Sequence, residues 1–176
     1  MIEVVIDSIR VSLMSQHRIV VLKDMHSDRY LPIWIGPFEA DAITIELQDM
    51  PPQRPLTHDL LKSVIREMGG RVIHVLINEL RNDVYYARVV IDLGGRQIEV
   101  DSRPSDAIAL AVRVKVPIFV AEAVMDRAAI QPDEDMENEP SAAEKPAGEG
   151  VDETRLSAFA DFVNSLDLDD LEDNED

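Results

Sequence analysis

The sequence predicts an α+β domain in which a mixed, largely antiparallel sheet packs against helices, followed by an acidic C-terminal tail. Three features support this class: short runs rich in Val, Ile and Tyr, apolar residues at helical spacing between them, and a Pro- and acid-rich stretch after residue 130. The chain has 176 residues, 45% of them hydrophobic, and no cysteine. That content suffices for a core and excludes a disulfide framework, a thiolate metal site and a cysteine nucleophile.

The first half of the domain is predicted to hold three strands and two helices. Runs rich in branched residues, each bounded by turn residues, predict strands over residues 2–11, 17–24 and 29–35. Pro37 begins a predicted helix over 37–48, because proline is favoured at a first helical position. Thr57 is the predicted N-cap of a second helix, which ends before two glycines. We expect the apolar stripe of this helix to be buried: Leu60, Leu61, Val64, Ile65 and Met68.

The second half repeats this alternation of strands and helix. Strands are predicted over residues 71–80, 84–92 and 96–101, joined by turns at Asn82-Asp83 and Gly94-Gly95. Pro104 begins a helix that extends to about Val114. A short strand over 117–121 and a helical turn over 122–128 complete the domain.

The two halves align without gaps at an offset of 67 residues. The alignment predicts a duplicated strand-strand-strand-helix unit, with the Thr57 helix inserted between the copies. The matched pairs are Arg29 with Arg96, Leu31 with Ile98, Ile33 with Val100, Pro37 with Pro104, Glu39 with Asp106, Ala40 with Ala107, Ala42 with Ala109, and Ile43 with Leu110. Chance is the alternative explanation, because prolines and acids are common at helix starts.

Most of the acidic charge lies in the C-terminal tail. Of the formal net charge of −18, residues 131–176 carry −15 and residues 1–130 carry −3. The whole-chain charge argues against binding to a phosphate backbone, but the near-neutral domain over 1–130 weakens that objection. Residues 131–152 have the composition of an acidic disordered linker. Within residues 153–176, apolar spacing predicts a short amphipathic helix, which docks on this chain, a sister subunit or another protein, and then an acidic end.

The N-terminal residues predict a cytoplasmic protein. They lack the basic region and the long apolar region of a signal peptide, and no later run approaches the ~20 apolar residues of a membrane span. The absence of cysteine fits a reducing compartment. We therefore expect no association with a membrane.

Glu39 and Asp106 occupy equivalent positions in the two predicted copies, each two residues after the proline that begins a helix. One interpretation is structural, because an acid in a first turn faces the positive end of the helix dipole. The other is that both carboxylates face one cleft and hold Mg²⁺ or Mn²⁺. The sequence alone favours the structural interpretation.

A second cluster, Arg54-Pro55-Leu56-Thr57-His58-Asp59, leads from a loop into a helix N-terminus. The free N–H groups there, together with Arg54 and Thr57, can bind an anion such as phosphate. His58 has the imidazole that general acid–base catalysis uses near neutral pH. Alternatively Thr57 caps the helix, Asp59 interacts with its dipole and His58 is a surface residue. The other histidines, His17, His26 and His74, are expected to be structural.

A third cluster, Asp101-Ser102-Arg103-Pro104-Ser105-Asp106, joins a strand to a helix. Arg103 and Ser105 are candidate phosphate-binding residues, because a guanidinium binds anions bidentately and a hydroxyl adds a donor. The chain lacks the glycine-rich cradle of a P-loop or Rossmann turn and the Gly-x-Ser-x-Gly motif of hydrolases. A surface pair between Arg103 and an aspartate is the alternative interpretation.

Three ordered motifs resemble the bifunctional nuclease domain family over about residues 1–130. They are RYLPIWIG over 29–36 with Glu39-Ala40, RPLTHDL over 54–60, and RPSDAIAL over 103–110 with VPIFV over 116–120. Ser102 stands where alanine is more frequent in the family. Plant relatives can carry a further interaction motif after this domain, whereas the acidic tail of this chain resembles that of actinobacterial relatives.

The resemblance implies an α+β fold, a homodimer, and a nuclease of low sequence specificity that hydrolyses phosphodiester bonds in DNA and RNA. Such hydrolysis needs a positioned water, charge neutralisation and a stabilised leaving oxygen. We expect His58, Asp59, Glu39 and Asp106 to be catalytic, and Arg54, Thr57, Arg103 and Ser105 to bind the substrate phosphate. We expect Glu39 and Asp106 to hold a divalent metal, Mg²⁺ or Mn²⁺.

Two other functions fit the same residues. The domain has no evident basic face, which favours a non-catalytic regulatory module that binds a small anion or a protein partner. A third hypothesis is that the acidic tail mimics nucleic acid and covers the site in cis. Deletion of residues 131–176 is then expected to increase nucleic-acid binding.

Overall fold

Seven strands and four helices form from Met1 to Gln131 in a computed structural model of the chain, which describes residues 1–11, 18–50 and 52–131. Residues up to Asp133 belong to one structural unit. His17, Pro51, nearly all of the predicted linker, the predicted C-terminal helix and the acidic end lie outside the described residues. The elements are β1 (Ile2–Val11), β2 (Arg18–Asp24), β3 (Tyr30–Ile35), α1 (Pro37–Leu47), α2 (Thr57–Glu67), β4 (Gly70–Arg81), β5 (Val84–Leu93), β6 (Arg96–Ser102), α3 (Pro104–Val114), β7 (Ile118–Val120) and α4 (Glu122–Ala128).

The strands form one mixed sheet in the order β3-β2-β1-β7-β4-β5-β6. The one parallel pair joins β4 to β7, where Val75 is opposite Ile118, and the other neighbouring pairs are antiparallel. This arrangement confirms the predicted α+β class. No helix among the described residues is long and apolar enough to cross a membrane.

The order of elements contains the predicted strand-strand-strand-helix unit twice. β1, β2 and β3 precede α1, and β4, β5 and β6 precede α3, so the two units lie on either side of β7 in the sheet. α2 lies between the units in sequence. Pro37 and Pro104 begin the two equivalent helices, as the sequence predicts.

Local sequence explains the turns that hold the second unit together. Asn82 and Asp83 both have positive φ, as expected for the tight turn that pairs Arg81 with Val84. Gly94 and Gly95 also have positive φ and join β5 to β6. The four turn residues therefore fix the register of the hairpins that lead to α3.

The core lies between the sheet and helices α1 and α3. Alternate residues of the strands point into it, and Leu22, Leu31 and Ile77 are fully buried. Ile108 and Leu110 of α3 are fully buried as well. Each such side chain contributes roughly 1.5–3 kcal/mol relative to an exposed one, so this packing fixes the N-termini of both helices relative to the sheet.

Helix α2 differs from its prediction in two respects. Thr57 is its first residue rather than its N-cap; the cap is Leu56, whose backbone N–H donates to the Asp59 carboxylate at 2.8 Å. The predicted buried stripe is largely exposed: Leu60 by 60%, Leu61 by 41%, Val64 by 44% and Met68 by 73%. Of the predicted stripe only Ile65 is partly buried and packs against the core, whereas His58, outside the stripe, is the buried residue of α2.

The sheet curls so that its two halves approach one another on the side of the helix N-termini. The end of β3 and the start of β5 line one cleft, although four strands separate β3 from β5 in the sheet order. The loop before α1 and the loop before α3 also line this cleft. The curl therefore brings the N-termini of the two equivalent helices together.

Candidate active site at three helix N-termini

The first turns of α1, α2 and α3 meet around a cleft of about 560 Å³. Glu39 comes from α1, His58 from α2, and Arg103 and Asp106 from the start of α3. The other lining residues are Phe38, Asp41, Ala42, Ile45, Pro55, Leu56 and Thr57. The structure thus brings together one or more candidates from each of the three sequence clusters.

Arg103 joins the two equivalent carboxylates. Its Nη2 donates to Glu39 Oε1 at 2.7 Å and to Asp106 Oδ1 at 3.1 Å, and its Nε donates to Asp106 Oδ2 at 2.6 Å. The Arg103 side chain is nevertheless 67% exposed, whereas that of Glu39 is 17% exposed. Glu39 and Asp106 therefore do face one another, as the pseudo-symmetry suggests, with a guanidinium between them.

His58 is buried against Asp106. Its Nε2 lies 3.2 Å from Asp106 Oδ1, so it donates there when Nε2 carries the proton. In that tautomer Nδ1 keeps its lone pair. His58, Asp106, Arg103 and Glu39 form a continuous hydrogen-bonded chain, which we call the acid–base chain.

The environment of Asp106 favours its ionised form. Burial raises the pKa of this carboxyl, but the hydrogen bonds from Arg103 and His58 outweigh burial and hold the pKa below its usual range. The same contact with Asp106, together with that of Glu39, raises the pKa of Arg103. The pair is therefore an ion pair across the physiological pH range.

Arg113 holds the three helices in this arrangement. Its Nε donates to Asp59 Oδ1 at 2.9 Å, its Nη1 to the Ala109 carbonyl at 2.8 Å, and its Nη2 to the Ala42 carbonyl at 3.0 Å. Its side chain is 1% exposed. Asp59, a predicted catalytic residue, thus binds Arg113 and the Leu56 N–H and lies behind the cleft lining.

Sequence reasoning missed Arg113. A single arginine within the otherwise apolar second half of α3 is the signal that could have found it, because a buried charge requires partners. Its three acceptors belong to α1, α2 and α3. Arg113 therefore positions His58 and Asp106 without lining the cleft.

The remaining predicted phosphate-binding residues are dispersed. Thr57 lines the cleft, and Arg54 is exposed one residue before Pro55, which also lines it. Ser105 is buried and lines a second cleft of about 440 Å³. Arg103 lines both clefts. The other residues around the second cleft are Ile33, Trp34, Ile35, Gly36, Asp83, Val84, Tyr85 and Pro104.

Gly36, the residue before α1, leaves room for the Glu39 carboxylate. A Cβ placed on Gly36 would collide with Glu39 Oε2. The backbone at Gly36 has φ −68°, which other residues adopt freely. The requirement for glycine is therefore steric and concerns the position of Glu39.

The donor set does not fit a resident divalent ion. Hard cations need several oxygen ligands, yet one nitrogen of Arg103 contacts both Glu39 and Asp106. Across residues 1–11, 18–50 and 52–131, no group of three histidine or acidic side chains has the geometry to hold a metal. This arrangement of side chains therefore does not provide the ligands that a divalent ion needs.

The two other described histidines occupy places that explain them structurally. His74 packs its ring edge-on against Phe119, with ring centroids 5.4 Å apart. The backbone N–H of His26 donates to Asp24 in the turn between β2 and β3. Neither residue lines the cleft that holds His58.

The fold and the site define an α+β domain with a histidine–aspartate pair and an accessible arginine in one cleft. The family model for the bifunctional nuclease domain matches residues 20–133. The chain belongs to the bifunctional nuclease domain family, as the three motifs indicate.

Relatives fall into two groups. An uncharacterized protein of Mycobacterium tuberculosis (strain ATCC 25618 / H37Rv) is 39% identical over 170 residues, which cover 96% of this chain and 97% of the relative. Bifunctional nuclease 1 of Oryza sativa subsp. japonica is 35% identical over 107 residues, 59% of this chain and 32% of the relative. Bifunctional nuclease 1 of Arabidopsis thaliana is 30% identical over 108 residues, 59% of this chain and 33% of the relative. The likeness to the plant proteins thus concerns about one third of their length.

Proposed function

We propose that the chain is a nuclease of low sequence specificity that hydrolyses phosphodiester bonds in DNA and RNA. The observation that carries the proposal is the acid–base chain, which unites His58, Asp106 and the accessible Arg103 in one cleft. Membership of the family and the names of the plant relatives support the same activity. Nucleic acid is then the substrate of the cleft.

Arg103 supplies the phosphate-binding cation in this mechanism. Its exposed guanidinium can donate to a phosphate oxygen while keeping its Nε on Asp106. Negative charge increases on the phosphate oxygens as water attacks, so a positioned guanidinium stabilises the transition state more than the ground state. Glu39 accepts a hydrogen bond from Nη2 and thereby orients Arg103 until a phosphate oxygen replaces it.

His58 supplies the proton transfer. With Nε2–H donated to Asp106, Nδ1 has the lone pair that accepts a proton from the attacking water. Asp106 fixes the tautomer and stabilises the imidazolium that results. The protonated ring can then return the proton to the leaving oxygen, which completes the hydrolysis.

The expected dependence on Mg²⁺ or Mn²⁺ remains a prediction and is not part of this mechanism. The arrangement of Glu39 and Asp106 around Arg103 does not hold one, and the proton transfer described above uses only protein side chains. Cleavage measured with and without a chelator tests the dependence on metal. The cytoplasmic location and the homodimer likewise remain predictions.

Cleavage of a circular single-stranded DNA and of an unstructured RNA by highly purified protein tests the proposal. We expect His58→Gln and Arg103→Gln each to lower both activities strongly while circular dichroism shows a folded protein. His26→Gln and Arg66→Gln are matched controls, because His26 is an exposed turn residue and Arg66 pairs on the surface with Glu67. Activity that is equal in all four variants would identify a contaminating nuclease and refute the proposal.

One observation favours the alternative of a partner-binding module. The exposed apolar side chains of α2 form a stripe on a helix, and contiguous exposed apolar surface is characteristic of interaction sites. This surface comprises Leu60, Leu61, Val64 and Met68. Light scattering of the wild type and of Leu60→Lys tests whether the stripe binds a second copy of the chain. Loss of a dimer in Leu60→Lys would assign the stripe to that contact.

A further inference from the structure

Two clefts meet at Arg103, and each carries an exposed aromatic side chain. Phe38, 83% exposed, lines the cleft that holds His58 and Asp106. Trp34, 60% exposed, lines the cleft on the other side of Arg103. A ligand long enough to enter both clefts would therefore pass an aromatic ring, a guanidinium and a second aromatic ring in turn.

This order of ring, cation and ring resembles the alternation of base and phosphate in a single-stranded polynucleotide. Each nucleotide offers a flat base and an anionic phosphate, and proteins bind such strands by stacking the bases on aromatic rings. A duplex cannot use these rings without opening, because its bases are already stacked and paired. The placement of Phe38 and Trp34 on both sides of Arg103 thus favours a strand whose bases are free.

The charges around the clefts point the same way. Duplex binding without base contacts depends on the neutralisation of many phosphates by a basic surface. The two clefts instead carry the acids Glu39, Asp41, Asp83 and Asp106 beside the single cation Arg103. Affinity must therefore come mainly from contacts with the bases.

We propose that this site binds single-stranded DNA or RNA, with one phosphate on Arg103 and neighbouring bases stacked on Phe38 and Trp34. The proposal rests on the proposed nuclease function and specifies its substrate as an unpaired strand. One phosphate contact gives a weak dependence on salt, with a slope of log K against log [salt] of about −0.7. A shallow slope combined with sensitivity to the loss of either ring is the signature of this mode.

Trp34 provides a direct readout because the chain has one tryptophan. The full chain is titrated with three ligands: octathymidylate, an eight-base-pair duplex and inorganic phosphate. Both oligonucleotides have a phosphorothioate backbone, which resists cleavage. We expect the single strand to quench the Trp34 fluorescence, and the duplex and phosphate to leave it unchanged. Equal quenching and equal affinity for the duplex would overturn the proposal.

Substitutions identify the two rings, with fluorescence anisotropy of the labelled single strand as the readout. Phe38→Ala and Trp34→Ala are each expected to weaken binding about tenfold, a typical effect of losing one base stack. Met68→Ala is the matched control, since Met68 is 73% exposed on α2 and lines neither cleft. Wild-type affinity in both aromatic variants would overturn the proposal.

Cleavage assays on the same samples separate this proposal from the proposed function. Ring-dependent binding of the single strand without any cleavage would support the binding mode and refute the hydrolysis. Cleavage of single strands and duplexes at equal rates, unchanged in Phe38→Ala, would support the hydrolysis and refute the binding mode.

Discussion

The Arg103 guanidinium and the Glu39 carboxylate are joined at 2.7 Å across 64 residues of sequence. This contact occupies the place between Glu39 and Asp106 that a divalent cation would take. Arg103 is thus the cation of the site in this structure, and its removal leaves two facing carboxylates without a counter-charge.

We therefore expect Arg103→Gln to bind Mn²⁺ more tightly than the wild type does. Two carboxylates that lose their cation attract a hard metal ion, whereas in the wild type the ion must displace the guanidinium. Titration followed by electron paramagnetic resonance of free Mn²⁺ measures the difference. The gain in Mn²⁺ affinity should vanish in the double variant Arg103→Gln, Glu39→Gln. Arg66→Gln is the matched control. Equal Mn²⁺ binding by the wild type and by Arg103→Gln would contradict this account.

The pair of His58 and Asp106 predicts the pH dependence of hydrolysis. His58→Gln should lower the cleavage rate by about 100-fold, the lower range for loss of a general acid–base group, and should remove the limb of the pH profile that depends on the imidazole. Asp106→Asn should lower the rate as well, because an amide no longer stabilises the imidazolium. The pH–rate profiles of both variants provide the measurement, with His26→Gln as control. A variant with reduced rate but an unaltered profile would show that His58 has only a structural role.

Gly36→Ala should displace the Glu39 carboxylate without unfolding the domain. The added Cβ meets only the end of the Glu39 side chain, and the backbone conformation suits alanine. The exposed contact with Arg103 contributes roughly 0–1 kcal/mol, so urea unfolding should change little. A double-mutant cycle of cleavage rates with Glu39→Gln measures the coupling. The effects of Gly36→Ala and Glu39→Gln on the cleavage rate should not add, because each substitution removes the same contact with Arg103. Strictly additive effects would contradict this prediction.

Asp24 predicts the loss of stability in acid. The hydrogen bond from the Ser27 hydroxyl, supported by those from the His26 N–H and Arg29, outweighs burial and lowers the pKa of Asp24. Because the pKa is lower in the folded state, the stabilisation is present above the unfolded-state pKa and is lost as the pH falls through the folded-state value.

Asp24→Asn should accordingly lower the free energy of unfolding at pH 7 by on the order of 2 kcal/mol, the typical worth of hydrogen bonds to a buried charge. The loss should shrink toward acid pH. Urea unfolding from pH 7 to pH 2 measures both effects. Asp28→Asn is the control, since the Asp28 side chain is 84% exposed; an Asp24→Asn deficit that does not depend on pH would refute the linkage.

Local patterns predicted much of the fold. Proline marked the starts of α1 and α3, and glycine or Asn-Asp turns marked the hairpins, because these residues act on the backbone conformation within a few residues. The exposure of α2 could not be predicted in this way. An apolar stripe shows that a helix face avoids water, but only the tertiary arrangement determines whether this chain covers it.

The residues of the site could be predicted from the sequence, but the contacts between them could not. Proline and acid motifs identified Glu39, His58, Arg103 and Asp106 as candidates, and the structure brings all four to one cleft. Sequence could not show that Arg103 contacts both carboxylates or that Arg113 ties Asp59 to two carbonyls. These contacts depend on the curl of the sheet and on helix packing, which involve residues distant in sequence.

The same offset of 67 residues that relates Glu39 to Asp106 also relates Gly36 to Arg103. In one copy the glycine leaves room for the Glu39 carboxylate, and in the other the arginine binds both carboxylates. The two copies of the strand-strand-strand-helix unit therefore differ at this position, and the site around Arg103 is not symmetric. A strand bound as proposed would meet histidine on one side of the arginine and tryptophan on the other, so the two ends of the site differ chemically.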